Sequence, residues 1–420
     1  MALDQVGRPR AVVVLTGSEL VRGDKADANG AFLASELTAL GLEPRRILVV
    51  GDDPAELEDA VREGMAAEVL VLSGGLRPTH DDRTVETLAR VAGRELEVDE
   101  DLAREIEGVA RAVAERLGRP YADFVPGVRK QACLPDGAIS LGLAGTAPAV
   151  LLERAGGLAV ALPGPPSELR RLWPRVLESD ALRRVLAHVE APNRTVLRFF
   201  GPSESAVARV VEESGGEGEG VEVTVCAQDL EVRVDLLARA GGGERAERLE
   251  RALRSRFAAD LFADDERSVA ALVVDRCRAL GLRVATAESC TGGLVGARLT
   301  DVPGASDVYA GGFIAYSNEV KERRLGVPAE VLERHGAVSA ETAEAMAAGA
   351  RAMLGADAAI AVTGVAGPGA GTSEKPVGLV YVSVVAPGGE STERFLFSGD
   401  REAVRARATA QSLHSLRRLL

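Results

Sequence analysis

Aromatic side chains are scarce: Phe, Tyr and Trp make up 3% of the 420 residues. Hydrophobic residues still reach 46%, too rich for a disordered chain, so the cores must be built from Leu, Val and Ala. Cysteine is scarce too. Cys133, Cys226, Cys277 and Cys290 are scattered with no CxxC pair, which argues against a zinc or disulfide framework. No apolar run reaches the roughly 18 residues a membrane helix needs. Near the start, AVVVL is too short for the core of a signal peptide, and no small-residue cleavage site follows. A soluble cytoplasmic protein with no membrane partner is expected. Positive charge is in deficit, with 50 basic against 63 acidic residues and a formal net charge of −13. Generic nucleic-acid binding needs a basic face, so direct nucleic-acid binding is not expected, while a local pocket for one phosphate remains compatible. Lysine is scarcest of all: Lys25, Lys130, Lys321 and Lys375 are the only four among the 50 basic residues. Where Arg supplies plain positive charge, a retained Lys suggests a task Arg cannot perform, such as losing its proton.

The length predicts about three domains at roughly 150 residues each. Residues 1–172 alternate strand and helix patterns. AVVVL, RRILVV and EVLVL read as strands, with helices over about 27–40 and 54–66 between them, which predicts a parallel sheet covered on both faces. Ligands bind such sheets at the carboxyl ends of strands, where this chain places TGSELVRGDKADANG, VGDDP and SGGLRPTHDD. Residues 173–262 read as a small β-α-β-β-α module with flexible EESGGEGEG and ARAGGGE connections. Residues 263–420 are α/β again, closing in a helix. The fold class expected is therefore α/β, in a three-domain chain.

Thr286-Ala287-Glu288-Ser289-Cys290-Thr291-Gly292-Gly293 lies between a strand and a helix pattern. Such a turn sets a side chain beside the free N–H groups and positive dipole of a helix start. That geometry suits a nucleophile with an oxyanion hole formed near Gly292 and Gly293. A capped helix with two glycines for close packing reads equally well. Ser289 and Cys290 compete as nucleophiles. Ser289 needs a base, and neither His335 nor His414 is near in sequence. Lys321, in the polar helix start after Tyr316, can act as a neutral amine if partly desolvated. Tyr316 can relay a proton or donate to an oxyanion. In the thiol reading, Glu288 and Lys321 assist Cys290. A solvated surface charge is the plainer reading of Lys321. The Gly-rich loop Thr363-Gly364-Val365-Ala366-Gly367-Pro368-Gly369 can cradle a phosphate but lacks the Walker pattern. Arg401 and Arg405 are either anion ligands or a solvated face.

In the N-terminal third, Ser73-Gly74-Gly75-Leu76-Arg77-Pro78-Thr79-His80-Asp81-Asp82 is the densest polar string. Gly74 and Gly75 leave room for backbone to approach a ligand. Asp81 and Asp82 precede a helix and read as caps, or with His80 as ligands of a divalent metal suited to pyrophosphate hydrolysis. Glu19, Asp24, Asn29 and Asp52 fall on neighbouring loops of the same sheet edge.

TAESCTGGL, LTDVPGAS, GGFIAYSNEVK, HGAVS, TGVAGPG, KPVG and SGDREAVR, in this order, closely resemble the C-terminal domain of the CinA family (competence/damage-inducible protein A). That domain is similar to the stand-alone nicotinamide mononucleotide (NMN) deamidases, which release nicotinic acid mononucleotide and ammonia. The resemblance implies Ser289 as nucleophile and Lys321 as base with Tyr316 nearby. It implies a substrate-binding set of Glu288, Cys290, Thr291, Gly292, Gly293, Thr363, Gly364, Gly367 and Arg401, and no cofactor. TGSELVRG, ADANGAFLASELTALG, VGDD, SGGLRPTHDDRT and LPGPPSEL resemble the family's N-terminal domain, which looks like the molybdopterin-binding fold. There the resemblance implies metal-dependent hydrolysis of ADP-ribose, with Gly74, Gly75 and Thr79 at substrate and Asp81, Asp82 and His80 at the metal. The middle module resembles the family's KH-like domain, although its acidic GGEGEG tract argues against nucleic-acid binding. Arg77 stands where the family usually has Gly, and Gly142 to Ala149 lacks the usual Asn and final Gly. A homo-oligomer is implied. Two other readings stay open: a non-catalytic binder of molybdopterin or a nucleotide, and an accessory in DNA uptake or damage.

Overall fold

The computed structural model describes residues 8–79, 81–369 and 371–420. The chain forms two compact units, Met1–Pro192 and Asn193–Leu420. In chain order, the strands of the first unit are β1 (Arg10–Thr16), β2 (Glu43–Val50), β3 (Val69–Ser73), β4 (Leu96–Val98), β5 (Cys133–Pro135), β6 (Ala138–Leu143), β7 (Pro148–Arg154) and β8 (Gly157–Leu162). Six of them make one sheet in the order β2-β1-β3-β8-β7-β6, and β4 pairs with β5. From β2 to β8 the pairings are parallel. The last two are antiparallel, so the sheet is mixed, not purely parallel as expected. Here two strands follow one another with only a short turn between them, and a hairpin must be antiparallel.

The apolar runs explain the centre of this sheet. β3 and β8 are buried along their whole lengths. Along β1 and β3 alternate residues enter different cores: Val12, Val14, Leu70 and Leu72 on one face, Ala11, Val13, Leu15, Val69 and Val71 on the other. That is the period-2 signature of a strand covered on both sides. The helix expected over 54–66 is observed at Pro54–Gly64, with Asp53 accepting from Ala55 and Glu56 N–H and Pro54 at its first position, where a missing N–H costs nothing. The helix Pro166–Leu177 runs through the expected 172/173 boundary. Leu169, Leu172, Trp173 and Val176 carry it into the first unit's core, which is why that unit continues to Pro192.

The second unit contains β9 (Asn193–Phe200), β10 (Val221–Gln228), β11 (Glu231–Ala238) and β12 (Leu261–Ala263) in the antiparallel order β10-β11-β9-β12. It also contains β13 (Val284–Glu288), β14 (Tyr309–Ile314), β15 (Ala358–Gly364), β16 (Leu379–Ala386) and β17 (Gly389–Leu396) in the order β14-β13-β15-β16-β17. One face of this second sheet presents Ala285, Ala287, Ala359 and Ala361 to the helix Ala340–Leu354. On that helix Gly349 also lets the helix Asn318–Leu325 approach closely, since a Cβ there would run into the Leu325 carbonyl. The opposite face is Val284, Ile360, Val362, Val380, Val382 and Val384 against the closing helix Arg401–Leu419. The far end of that helix meets the four-stranded sheet. His414 is fully buried, stacked on Phe200 at 3.7 Å between centroids and edge-on to Phe262 at 4.7 Å. Its Nε2 lies 2.9 Å from Glu231 Oε1.

Candidate functional site

β13 ends at Glu288, and the chain turns through Ser289–Gly293 into the helix Leu294–Thr300. The Ser289 N–H donates to the Val362 carbonyl at 2.9 Å, fixing the turn to β15. Glu288 is buried, and its carboxylate accepts from the N–H groups of Gly293 (2.9 Å), Val295 (3.0 Å) and Gly296 (2.9 Å). It therefore caps the helix and clamps the turn, which accounts for a buried charge without a substrate. Gly292 N–H donates to the Ser289 carbonyl at 3.2 Å. The two glycine N–H groups expected to face an oxyanion are thus both engaged within the turn. Gly292 and Gly293 have φ of +61° and +101°, so glycine is required here for backbone shape.

Lys321 sits in the helix Asn318–Leu325, whose cap Ser317 accepts from Val320 N–H at 3.3 Å. It is 1% exposed and Ser289 is 8% exposed. Lys321 Nζ donates to the Ala315 carbonyl at 2.7 Å and the Tyr316 carbonyl at 3.4 Å, and lies 3.2 Å from Ser289 Oγ. Burial pushes the Lys321 amine below its usual range, since desolvation penalises the charged form. The three partners suit both protonation states: an ammonium donates to all three, and a neutral amine donates to the two carbonyls and accepts from the Ser289 hydroxyl.

Cys290 is buried among Val295, Leu299 and Val362. Burial pushes its thiol up to about 12, which disfavours the thiolate that a cysteine nucleophile needs. Tyr316 is 62% exposed. Its hydroxyl accepts from Arg401 Nη2 at 3.2 Å, and Arg401 Nη1 donates to the Gly367 carbonyl at 3.0 Å. Arg401 so ties the strand end at Tyr316 to the Gly-rich loop. The buried Thr363 hydroxyl donates to the Ala337 carbonyl at 2.6 Å, beside Gly364 at the end of β15.

In the first unit, Gly74 and Gly75 turn at φ of +102° and +66°. A Cβ would meet the Thr16 carbonyl at 2.6 Å or the Thr84 hydroxyl at 2.1 Å. This turn lines a cleft of about 400 Å³ at the carboxyl ends of the strands, together with Thr16, Lys25, Asn29, Arg77, Thr79, Asp81 and Asp82. Asn29 Nδ2 donates to Ser73 Oγ at 3.0 Å and the Gly164 carbonyl at 2.8 Å. Its Oδ1, like Thr16 Oγ1, is buried with no partner among the described residues. Among the described residues, neither the Lys25 nor the Arg77 side chain has an ion pair or hydrogen bond, and both line the cleft. Arg77 does not adopt positive φ, so a side chain is accommodated there without strain. Ala149 is a core residue of β7 and does not line the cleft.

The expected metal set of Asp81, Asp82 and His80 lies only partly within the described residues. The Thr79 hydroxyl donates to the Asp82 carboxylate, His80 lies outside the described residues, and among the described residues no group of three His, Cys, Asp or Glu is arranged to hold an ion. Two residues that sequence reasoning left undistinguished prove central: Glu288, as the clamp of the turn, and Arg405, which donates to the carbonyls of Cys290 and Thr291. No helix among the described residues is long and apolar enough to cross a membrane.

A molybdopterin-binding-like sheet with a polar cleft, joined to an α/β unit with a buried serine–lysine pair, defines the class of protein. Family models place the chain further. The CinA C-terminal domain matches residues 266–420, and the "Probable molybdopterin binding domain" matches residues 12–184. A CinA-like protein of Mycolicibacterium gilvum (strain PYR-GCK) is 42% identical over 420 residues, covering 98% of both chains. One from Mycobacterium tuberculosis (strain ATCC 25177 / H37Ra) is 39% identical over 424 residues, covering 98% of this chain and 97% of its own. The crystal structure of competence/damage inducible protein CihA from Agrobacterium tumefaciens is 39% identical, covers 38% of this chain and 99% of its own, and has a TM-score of 0.35. The chain belongs to the CinA family.

Proposed function

We propose that the C-terminal unit is an amidohydrolase that converts NMN to nicotinic acid mononucleotide and ammonia. The observation that carries the reading is the buried Lys321 amine, 3.2 Å from Ser289 Oγ and fixed by two carbonyls. Ser289 Oγ attacks the carboxamide carbon while its proton passes to Lys321 Nζ. Lys321 returns that proton to the departing nitrogen, the C–N bond breaks, and ammonia leaves an acyl-serine ester. Water then attacks the ester, giving its proton to Lys321. The carboxylate product leaves as Ser289 is reprotonated. A positioned base of this kind contributes about 10²–10⁴-fold. Arg401, anchored by Gly367 and Tyr316, offers a fixed guanidinium to the nucleotide phosphate.

The test is ammonia release from NMN by the wild type, Ser289→Ala and Cys290→Ala. Release abolished only by Ser289→Ala supports the mechanism. Release abolished only by Cys290→Ala transfers it to the thiol. No release from folded wild type removes the NMN reading.

A second reading concerns the N-terminal cleft. Two buried oxygens and two cations at the cleft, none with a partner among the described residues, support a polar, phosphorylated ligand such as ADP-ribose. The described residues do not compose a metal site, so no step is assigned to a metal. ADP-ribose hydrolysis measured with and without added Mg²⁺ separates an enzyme from a binding domain.

A further inference from the structure

We infer that Arg405 is a positioning residue of the amidase: its guanidinium sets the turn that carries Ser289 and so keeps Oγ within reach of Lys321. This rests on the amidase reading above. Arg405 lies four residues beyond Arg401 on the closing helix, so both side chains leave the same face. Its Nε donates to the Cys290 carbonyl at 3.2 Å and its Nη2 to the Thr291 carbonyl at 2.8 Å. These carbonyls belong to consecutive peptides just after the nucleophile. A planar fork meets two neighbouring acceptors at once, which an ammonium does not reproduce.

The base of the fork cannot drift. Val404 and Ala408, on either side of Arg405 in the helix, are fully buried in the core. The turn is gripped from both sides: the Glu288 carboxylate holds the N–H groups of Gly293, Val295 and Gly296, and Arg405 holds the carbonyls before them. The turn's own backbone bonds are long, with Gly292 N–H 3.2 Å from the Ser289 carbonyl and Leu294 N–H 3.4 Å from that of Thr291. Released from Arg405, the two peptides can rotate and move Ser289 relative to Lys321. A displacement of about 1 Å is enough to lose on the order of 10²-fold in rate.

The experiment compares wild type, Arg405→Ala and Arg405→Lys in the full chain. Two readouts are used: steady-state ammonia release from NMN, and the rate at which a fluorophosphonate probe labels Ser289, with Ser289→Ala as the blank. The expected result for Arg405→Ala is a fall in kcat and labelling rate of about 10²-fold, with KM within about threefold. Added guanidinium ion should restore both in a saturable way, and methylammonium should not. Arg405→Lys should fall between, because one ammonium serves fewer carbonyl contacts. Rates within threefold of wild type in Arg405→Ala overturn the inference, as does a loss that follows the folded fraction and is not rescued by guanidinium. If Arg405→Ala does not fold, the Arg405→Lys labelling rate decides, and a wild-type rate overturns the inference. Labelling of wild type without NMN turnover removes the NMN reading and leaves Arg405 testable by labelling alone.

Discussion

In the C-terminal unit, Ser289 and Lys321 find each other within the protein, and the carbonyls of Ala315 and Tyr316 complete the amine's partners. In the N-terminal cleft, the Asn29 Oδ1 and Thr16 Oγ1 atoms are buried with no partner among the described residues, while most of the acidic groups lie at the surface. The Ser289–Lys321 pair has its partners before substrate arrives, although Thr291 Oγ1 in the same turn is also buried with no partner among the described residues. The cleft leaves atoms whose desolvation only a ligand or bound water would offset, since an unpaired buried acceptor costs about 1–3 kcal/mol. The difference teaches that a preorganised chemical pair satisfies its own polar atoms, whereas an open binding cleft keeps polar atoms for what it binds.

The sharpest break in this comparison is Lys321→Met. Ammonia release should fall by about 10²–10⁴-fold, while ADP-ribose binding by the N-terminal cleft stays unchanged by calorimetry. Glu288→Gln comes next. It leaves a buried amide facing N–H groups that need an acceptor, so stability should fall by about 1–3 kcal/mol, measured by denaturant unfolding. In the other site, Asn29→Ala should weaken ADP-ribose binding by about tenfold, the equivalent of one hydrogen bond, with NMN turnover intact.

Acid should act on the C-terminal pair through Lys321. Burial lowers its pKa in the folded protein, and in the proposed mechanism the neutral amine is the base. Turnover is therefore lost as pH falls through that lowered value and is retained above it. Stability moves the same way. Between the folded-state value and the ordinary 10.5, the unfolded chain binds more protons, so stability rises with pH. Thermal unfolding from pH 7 to 9.5 should show this slope in wild type and a flatter one in Lys321→Met. The smallest effect is expected from Cys290→Ala, with turnover within about threefold and about 1–2 kcal/mol of stability lost to the vacated volume.

Much of the C-terminal pair was legible because the chain uses lysine so sparingly. Lys321 is the buried amine at Ser289. Two further lysines also reach backbone carbonyls: Lys130 at Asp82, 2.6 Å, and Lys375 at His335, 2.6 Å. The apolar periodicity also located strands such as Arg10–Thr16 and helices such as Pro54–Gly64, because burial on a fixed period writes itself into composition. The helix Glu100–Leu117 was not singled out, nor was the antiparallel edge β6–β7, where local pattern does not state which strands pair. The roles of Glu288 and Arg405 were illegible for another reason. A buried carboxylate capping its own turn and one ligating a substrate have the same one-letter code. Arg405 meets its carbonyls across more than a hundred residues, a proximity that only the folded sheet creates. Asn29 likewise meets Ser73 and Gly164 only in three dimensions.

The stacked His414 between Phe200 and Phe262 has a further consequence: it is a built-in spectroscopic reporter. Burial holds its imidazole below the usual range, with Glu231 opposing that shift and Arg417 and Arg418 reinforcing it. A chain cut after Ala263 would strip away Phe200, Phe262 and Glu231 together and expose the ring to water. The His414 resonance in a residue 264–420 fragment should then titrate in the ordinary imidazole range, well above its value in the full chain. One proton signal thus distinguishes a closing helix that is docked on the four-stranded sheet from one that stands alone.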